Sequence, residues 1–277
     1  MLAIGLALSA AVAWGVGDFF GGLTARRLNV LAVVALSQLA GLAGIAAWTA
    51  AAGEGPPSGR SLLAAAGAGV AGAAGLAALY RGMAIGAIGI VAPLSAVSPV
   101  IPLAVDAARG DRPGGLQLAG VALALAGVVL ASREAGSAGR RSAAGVGLAL
   151  LAALSFGLYY VGIGEASQGG VAWAVLVARL ASTTFAFGAA AATGAALGAG
   201  RRFLPVLAFV GLADVGANIL FAEATTRGFV GVVSVVASLY PVITVALAAV
   251  VLRERLTVSQ RGGAAIALAG ATLISGG

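Results

Sequence analysis

RGFVGVVSVVASLYPVITVALAAVVLRERLT (Arg227–Thr257), followed after a polar gap by GGAAIALAGATL (Gly262–Leu273), holds two apolar runs joined by the charged loop Arg253-Glu254-Arg255. The chain says much the same thing once before. GAIGIVAPLSAVSPVI (Gly86–Ile101) faces GFVGVVSVVASLYPVI (Gly228–Ile243), with six of 16 positions identical. LALAGVVLAS (Leu123–Ser132) faces IALAGATLIS (Ile266–Ser275), and LALSAAVAWG (Leu6–Gly15) faces LALLAALSFG (Leu148–Gly157), each with six of 10 identical. The offset is 142 residues in the early matches and 143 in the last, so one residue is gained or lost between Pro99 and Asp111. Nearly the whole chain is an internal duplication, with a first copy at 1–134 and a second at 143–277 in one membrane domain.

Only 9% of the 277 residues are charged and 61% are apolar, against roughly 25% charged in a soluble domain. Water is therefore not the solvent for most of this surface. The chain has no His and no Cys, and all 16 cations are Arg. Disulfides, thiol nucleophiles, imidazole bases, Schiff-base lysines and P-loop lysines are thereby excluded. The net charge of +7 does not point to nucleic acid, because the arginines stand singly or in pairs between apolar runs.

Apolar runs of about 17–25 residues are long enough to cross a bilayer core about 30 Å thick. The first copy offers Leu2–Phe20, Val30–Ala51, Leu62–Tyr80, Met83–Ala108 and Leu116–Ala131. After an Arg-bearing linker, Ser132–Ser142, the second offers Gly145–Ile163, Val171–Leu197, Phe203–Ala222, Val230–Leu252 and Gly262–Ile274. The first run is read as a membrane helix and not a signal peptide: it lacks a basic leader and has an internal twin. The expected fold is all-α and integral to the membrane, with ten transmembrane helices in two five-helix repeats. Five crossings return the chain on the opposite side, so the second copy enters upside down. Inverted repeats suit a protein that opens one central site to either side in turn.

Gly67, Gly69 and Gly72 spell GxGxxG, but no strand precedes them, and close helix packing is the better reading. Prolines 93, 99 and 102 in the fourth run and Pro241 in the ninth remove backbone donors from helices. In lipid the freed carbonyls need partners or a cavity to line. The matched placement of Pro99 and Pro241 in the two copies marks a shared hinge or cavity wall. Ser95 and Ser98 share a face with Pro102, and Ser234 and Ser238 share one with Pro241.

These features together resemble the EamA-domain branch of the drug/metabolite transporter superfamily. The resemblance rests on the two five-span repeats and on Ala13-Trp14-Gly15, echoed by Ser155-Phe156-Gly157. It rests also on a small-residue run into a central Pro, closed by Gly110-Asp111-Arg112-Pro113 or Arg253-Glu254-Arg255-Leu256. A Gly-rich last helix (Ala126-Gly127, Ala269-Gly270) completes it. The family tends to carry an Arg in the second helix of each repeat. Arg179 fits that place in the second copy, whereas Gln38 stands there in the first. The resemblance implies export or exchange of small metabolites, amino acids or amphiphilic compounds, from a cell membrane crossed many times. The alternatives are a non-catalytic membrane component or a membrane enzyme; the nine scattered acids offer the latter no metal or nucleophile cluster.

An ionised side chain at a helix centre costs at least about 2.5–3.5 kcal/mol, so polar groups at membrane depth mark a site. Asp18 lies one turn after Trp14, and Asn218 one turn after Asp214, each pair on one helix face. Arg179 offers a planar fork to a carboxylate, either Asp214 or an acid group of the substrate. The expected substrate site is Trp14, Asp18, Arg179, Asp214, Asn218 and Tyr240, with Asp18 and Asp214 as candidate proton carriers. Tyr80, Trp48 and Trp173, near run ends, read as interfacial anchors. No cofactor or metal is expected. The expected partners are a small-molecule substrate and the lipid bilayer, not nucleic acid, with the chain acting as a monomer or homodimer.

With both termini on one side, the opposite loops carry eleven arginines against four, which puts the termini outside by the positive-inside rule. A reporter fused to the C-terminus is expected to be active only outside the cytoplasm; cytoplasmic activity would reverse the assignment.

Overall fold

The computed structural model describes residues 1–53, 55–84, 95–110, 113–131, 142–251 and 257–276. Pro93, Asp111, Arg112, the linker residues 132–141 and the Arg253-Glu254-Arg255 loop lie outside these. The described residues form eleven helices. In the first half these are α1 (Leu2–Ala25), α2 (Val30–Ala52), α3 (Gly59–Ala84), α4 (Val100–Arg109) and α5 (Gly115–Ala131). In the second half they are α6 (Ser142–Ser167), α7 (Val171–Thr193), α8 (Gly200–Thr225), α9 (Val230–Ala237), α10 (Tyr240–Val251) and α11 (Val258–Gly276). Six of them, α1, α2, α3, α6, α7 and α8, are long and apolar enough to cross a membrane. Shorter apolar stretches fall at Gly115–Leu130, Val230–Thr244 and Arg261–Ile274.

Several helices run past the apolar runs that announce them, whereas α7, expected to reach Leu197, stops at Thr193 where Gly194 turns left-handed. α1 continues beyond Phe20 to Ala25, and α8 reaches Thr225. The sequence suggests a turn at 81–82, but α3 stays helical to Ala84 and holds Arg81 in its last turn, where a cation meets the negative end of the helix dipole. The true ends carry local signals. The Asn29 side chain accepts from the Leu31 N–H at 2.9 Å and starts α2. Gly53 and Gly194, at φ of 66° and 63°, stop α2 and α7 in a left-handed conformation that glycine adopts freely.

Both proline-bearing segments are broken. α9 ends at Ala237 and α10 begins at Tyr240, one residue before Pro241. Around the two prolines the backbone tightens into three-residue turns: Val100 N to Val97 O at 3.1 Å, and Val242 N to Leu239 O at 2.9 Å. α4 then starts from Pro99 as its N-cap. Asp106, buried on α4, accepts from Gly231 N at 2.6 Å and so satisfies an orphan donor in the first turn of α9.

Helix contacts lie mainly between the halves and survive their exchange. α3 packs on α6 as α8 packs on α1, and α3 packs on α7 as α8 packs on α2. α2 with α7 and α5 with α11 are each their own counterparts. Glycines repeat the pattern atom by atom. A Cβ on Gly15 would stand 2.7 Å from Tyr240 O, and one on Gly157 would stand 2.8 Å from Ser98 O. One on Gly127 would stand 2.7 Å from Gly263 O, and one on Gly270 would stand 2.7 Å from Gly120 O. Gly69 meets Ala178 O just as Gly211 meets Ser37 O. These glycines let helix backbones touch, which drives association in lipid where apolar burial alone does not.

The same contacts give direction. On α5, Gly120 meets Gly270 and Ile274, whereas Gly127 meets Gly263 and Ala267, so the equivalent helices α5 and α11 run antiparallel. Gln38 meets Arg179 and Thr49 meets Ala172, so α2 and α7 do likewise. The two copies are thus turned head to tail about an axis across the helices.

Gly69→Ala is expected to destabilise the protein by about 1–3 kcal/mol, since a methyl group would be forced onto the Ala178 carbonyl. Gly67→Ala, one turn-fraction away in open space, is expected to be neutral or to gain up to about 1 kcal/mol. Thermal unfolding in detergent compares them; equal effects would refute the close-contact role.

Candidate functional site

A cavity of about 660 Å³, mouth included, opens between the halves. α1 contributes Trp14 and Asp18, α2 Gln38, and α3 Gly69, Gly72, Ala73 and Leu76. α6 contributes Phe156, Tyr159, Tyr160 and Ile163, α7 Val175, Ala178, Arg179 and Ser182, α8 Asp214 and Asn218, and α10 Tyr240. Much of this lining pairs off across the repeat. Trp14 with Phe156, Asp18 with Tyr160, Gly72 with Asp214, and Leu76 with Asn218 are each 142 residues apart. The cavity therefore straddles the pseudo-two-fold axis. It is symmetric in position and asymmetric in chemistry, with both carboxylates facing small or aromatic counterparts.

Arg179 is the polar centre. Its side chain is only 2% exposed and its Nη1 lies 2.6 Å from Asp214 Oδ2, while Asp214 is 20% exposed and reaches the cavity. Nη1 also donates to Gln38 Oε1, which accepts from Ser182 Oγ at 2.8 Å as well. Thr183 donates to the Arg179 carbonyl at 2.7 Å, and that carbonyl, 2.9 Å from Ser182 Oγ, is the alternative acceptor for the single Ser182 proton. Asp214 Oδ1 accepts from Trp14 Nε1 at 3.0 Å, and Oδ2 from Asn218 Nδ2 at 3.5 Å. Tyr159 donates to Asn218 Oδ1 at 2.7 Å. One network thus joins α1, α2, α6, α7 and α8. Of the two partners expected for Arg179, the structure supplies Asp214.

The departure at Gln38 has a physical reason. α2 and α7 begin 141 residues apart, at Val30 and Val171, so Gln38 and Arg179 hold equivalent places. They also touch each other. A second Arg here would press two buried guanidinium groups together, whereas the Gln carbonyl accepts from the one that is present.

All six residues expected at the site line this cavity. The two prolines and four serines lie off its wall. Ser95 Oγ and Tyr240 OH are 2.9 Å apart, tying the two broken segments together. Ser234 and Ser238 bond carbonyls of their own segment, Val230 O at 2.6 Å and Val235 O at 2.8 Å, and Ser98 is buried. Tyr80 corrects the anchor reading: it is 1% exposed and donates to Asp18 Oδ1 at 3.3 Å. Tyr159, Tyr160 and Phe156 escaped the sequence reading. The available signal was a pair of tyrosines inside an apolar run, whose hydroxyls need partners when buried. Tyr159 and Tyr160 form an aromatic cluster with Trp14, at ring separations of 6.4 and 6.1 Å. Glu223 and Arg227 pair with each other at the surface, and Glu165 holds Arg60 and Arg109, both at 3.2 Å. Among the described residues no three His, Cys, Asp or Glu side chains gather as a metal site would need.

The profile described as the EamA-like transporter family matches the chain twice, over residues 1–133 and 143–276. A solved crystal structure superposes with a TM-score of 0.76, covering 98% of this chain and 95% of that one at 18% identity. At that identity the likeness is one of fold. No curated protein matches the sequence.

Removing one member of a buried ion pair strands the other, typically at about 3–5 kcal/mol. Arg179→Gln is therefore expected to unfold at a markedly lower temperature than the parent, and the Arg179→Gln/Asp214→Asn double variant to recover much of the loss. Thermal unfolding in detergent reads this; a double variant as weak as the summed singles would show that the two charges do not depend on each other.

Proposed function

The chain belongs to the EamA-like transporter family and is a multi-pass membrane protein; from that premise we propose that it is a secondary transporter working by alternating access. Its ten apolar runs are read as ten crossings, and its antiparallel copies as an inverted repeat in the bilayer. The cargo is a small metabolite, amino acid or amphiphilic compound, carried outward or in exchange across the cell membrane. The observation that carries this reading is the position of the cavity. It sits on the axis between two copies turned head to tail, where exchange of their conformations exposes one site to either side. Trp14, Asp18, Arg179, Asp214, Asn218 and Tyr240 form its polar and aromatic lining. The breaks at Pro99 and Pro241 serve as hinges, because a helix lacking those hydrogen bonds bends at little further cost.

Coupling to protons follows from the carboxyls. Asp214 is bound by a cation and two neutral donors, whereas among the described residues Asp18 is met by a tyrosine hydroxyl alone. Asp18 is the better-placed proton carrier, and Arg179 positions Asp214. A survey of metabolites in medium and cytosol, with and without the protein, identifies the cargo. In vesicles, the wild type is then expected to move it faster under an imposed pH gradient. Asp18→Asn is expected to lose that response, while Pro99→Ala/Pro241→Ala inserts normally and transports more slowly. If Asp18→Asn and Asp214→Asn both keep parental flux and gradient response, proton coupling at this site is refuted. Unchanged flux in the double proline variant would remove the hinges.

A further inference from the structure

The charges of the cavity do not cancel. Its ionisable lining, apart from tyrosines, is Asp18, Arg179 and Asp214. Arg179 and Asp214 neutralise each other at 2.6 Å, and both Asp214 oxygens have donors. Asp18 is left over. Among the described residues its only hydrogen-bond donor is the neutral Tyr80 hydroxyl, at 3.3 Å, on one oxygen. A carboxylate inside a membrane protein needs a counter-charge or a proton. Around it the wall is aromatic. Trp14 is one turn away on the same helix, and Tyr159, Tyr160, Tyr240 and Phe156 line the same space. Tyr159 and Tyr160 lie 5.7 Å apart with their rings inclined at 62°.

We propose that the cavity binds an organic monocation, with Asp18 as its charge partner and the Trp14–Tyr159–Tyr160–Tyr240 wall as its platform. This rests on the transporter reading and narrows its cargo to substituted amines and quaternary ammonium compounds with an apolar body. The aromatic faces attract a cation that has shed its water, and a permanent charge supplies what Asp18 lacks. An anionic cargo would meet an excess negative charge, because the one cation of the lining is paired with Asp214 through Nη1. Its Nη2, which has no hydrogen-bond partner among the described residues, is buried out of reach of solvent. Proton and organic cation would then compete for the one carboxyl that no cation holds. The titratable groups facing Asp18 are Tyr80 of α3, Tyr159 and Tyr160 of α6, Arg179 of α7, Asp214 of α8 and Tyr240 of α10. α2 and α9 contain no ionisable residue.

The test uses three probes of similar body and different charge on the purified full-length protein in detergent: benzyltrimethylammonium, benzyl alcohol and phenylacetate. Binding is read by calorimetry. Benzyltrimethylammonium is expected to bind at least about tenfold more tightly than benzyl alcohol, the size of one well-desolvated cation–π contact, and phenylacetate not at all. Its affinity should fall as the pH is lowered. Asp18→Asn, whose amide oxygen still accepts from Tyr80, should lose the preference for the cation while keeping the parental unfolding temperature. Asp18→Glu should restore it in part. Equal binding of the three probes, preference for phenylacetate, or no binding of the cation overturns the proposal without any variant being needed. Cation preference that survives in Asp18→Asn overturns the role of Asp18. If the cation binds as expected but no flux of it is seen in vesicles, the transporter reading fails and the binding site stands.

Discussion

An arginine in the apolar interior of a membrane protein has to be held, and Arg179 is held on the axis that relates the two halves. Its counterpart in the other copy, Gln38, touches it there. A group on a two-fold axis meets its own image, and two guanidinium groups in that place would repel. The scaffold therefore cannot be chemically symmetric where its copies meet. The asymmetry is resolved by an Arg on α7, a Gln on α2, and a carboxylate on α8 opposite the glycine of α3. From this one contact the rest of the polar lining follows. Asp214 balances Arg179, Trp14 and Asn218 orient Asp214, Tyr159 orients Asn218, and Asp18 is left with a charge to satisfy.

The duplication made the scaffold legible. Matches at offsets of 142 and 143 announce two equivalent units, and the odd number of runs announces that one is turned over. The structure shows the same relation in the antiparallel registers of α5 with α11 and α2 with α7. The glycines of the GxGxxG stretch were legible by elimination, and Gly69 does abut a helix carbonyl. Asp18, Arg179, Asp214 and Asn218 stood out because charge in lipid is expensive. The residues that escaped are those whose cost is invisible in one dimension. Tyr80 lies near the end of an apolar run and looks like an anchor, yet α3 continues past it and buries it against Asp18. Asp106 falls inside the apolar run Met83–Ala108, yet it accepts from the Gly231 N–H in the first turn of α9, 125 residues away. The ends of α1, α3 and α8 lie beyond the apolar runs because polar residues sit inside a continuing helix, and α7 ends before its run does because Gly194 stops it. Hydropathy reports the surroundings of a segment and not its hydrogen bonds.

The result is a symmetric frame around an asymmetric site. The frame packs the two copies together through equivalent pairs: α1 with α8 on one flank, α3 with α6 on the other, and α2 with α7 between. Helix backbones approach closely at glycines, and among the described residues each copy is broken once, at 238–239 and at 96–99. On the proposed transport cycle the site would supply the bias, since a proton or a cation at Asp18 changes the charge that one arrangement has to bury. A ligand shifts such an equilibrium only by its difference in affinity for the two states.

The central claim, that the flanks exchange positions about the cavity, is open to a direct distance measurement. The chain contains no Cys, so pairs of spin labels can be placed without background. One pair, at Ser58 and Thr226, spans the flanks at one mouth; the near-equivalent pair at Arg81 and Arg201 spans them at the other. Pulsed electron paramagnetic resonance in nanodiscs, at high and low pH, is predicted to show one distance lengthening as the other shortens. Two distances that stay fixed, or that change in the same sense, would contradict alternating access.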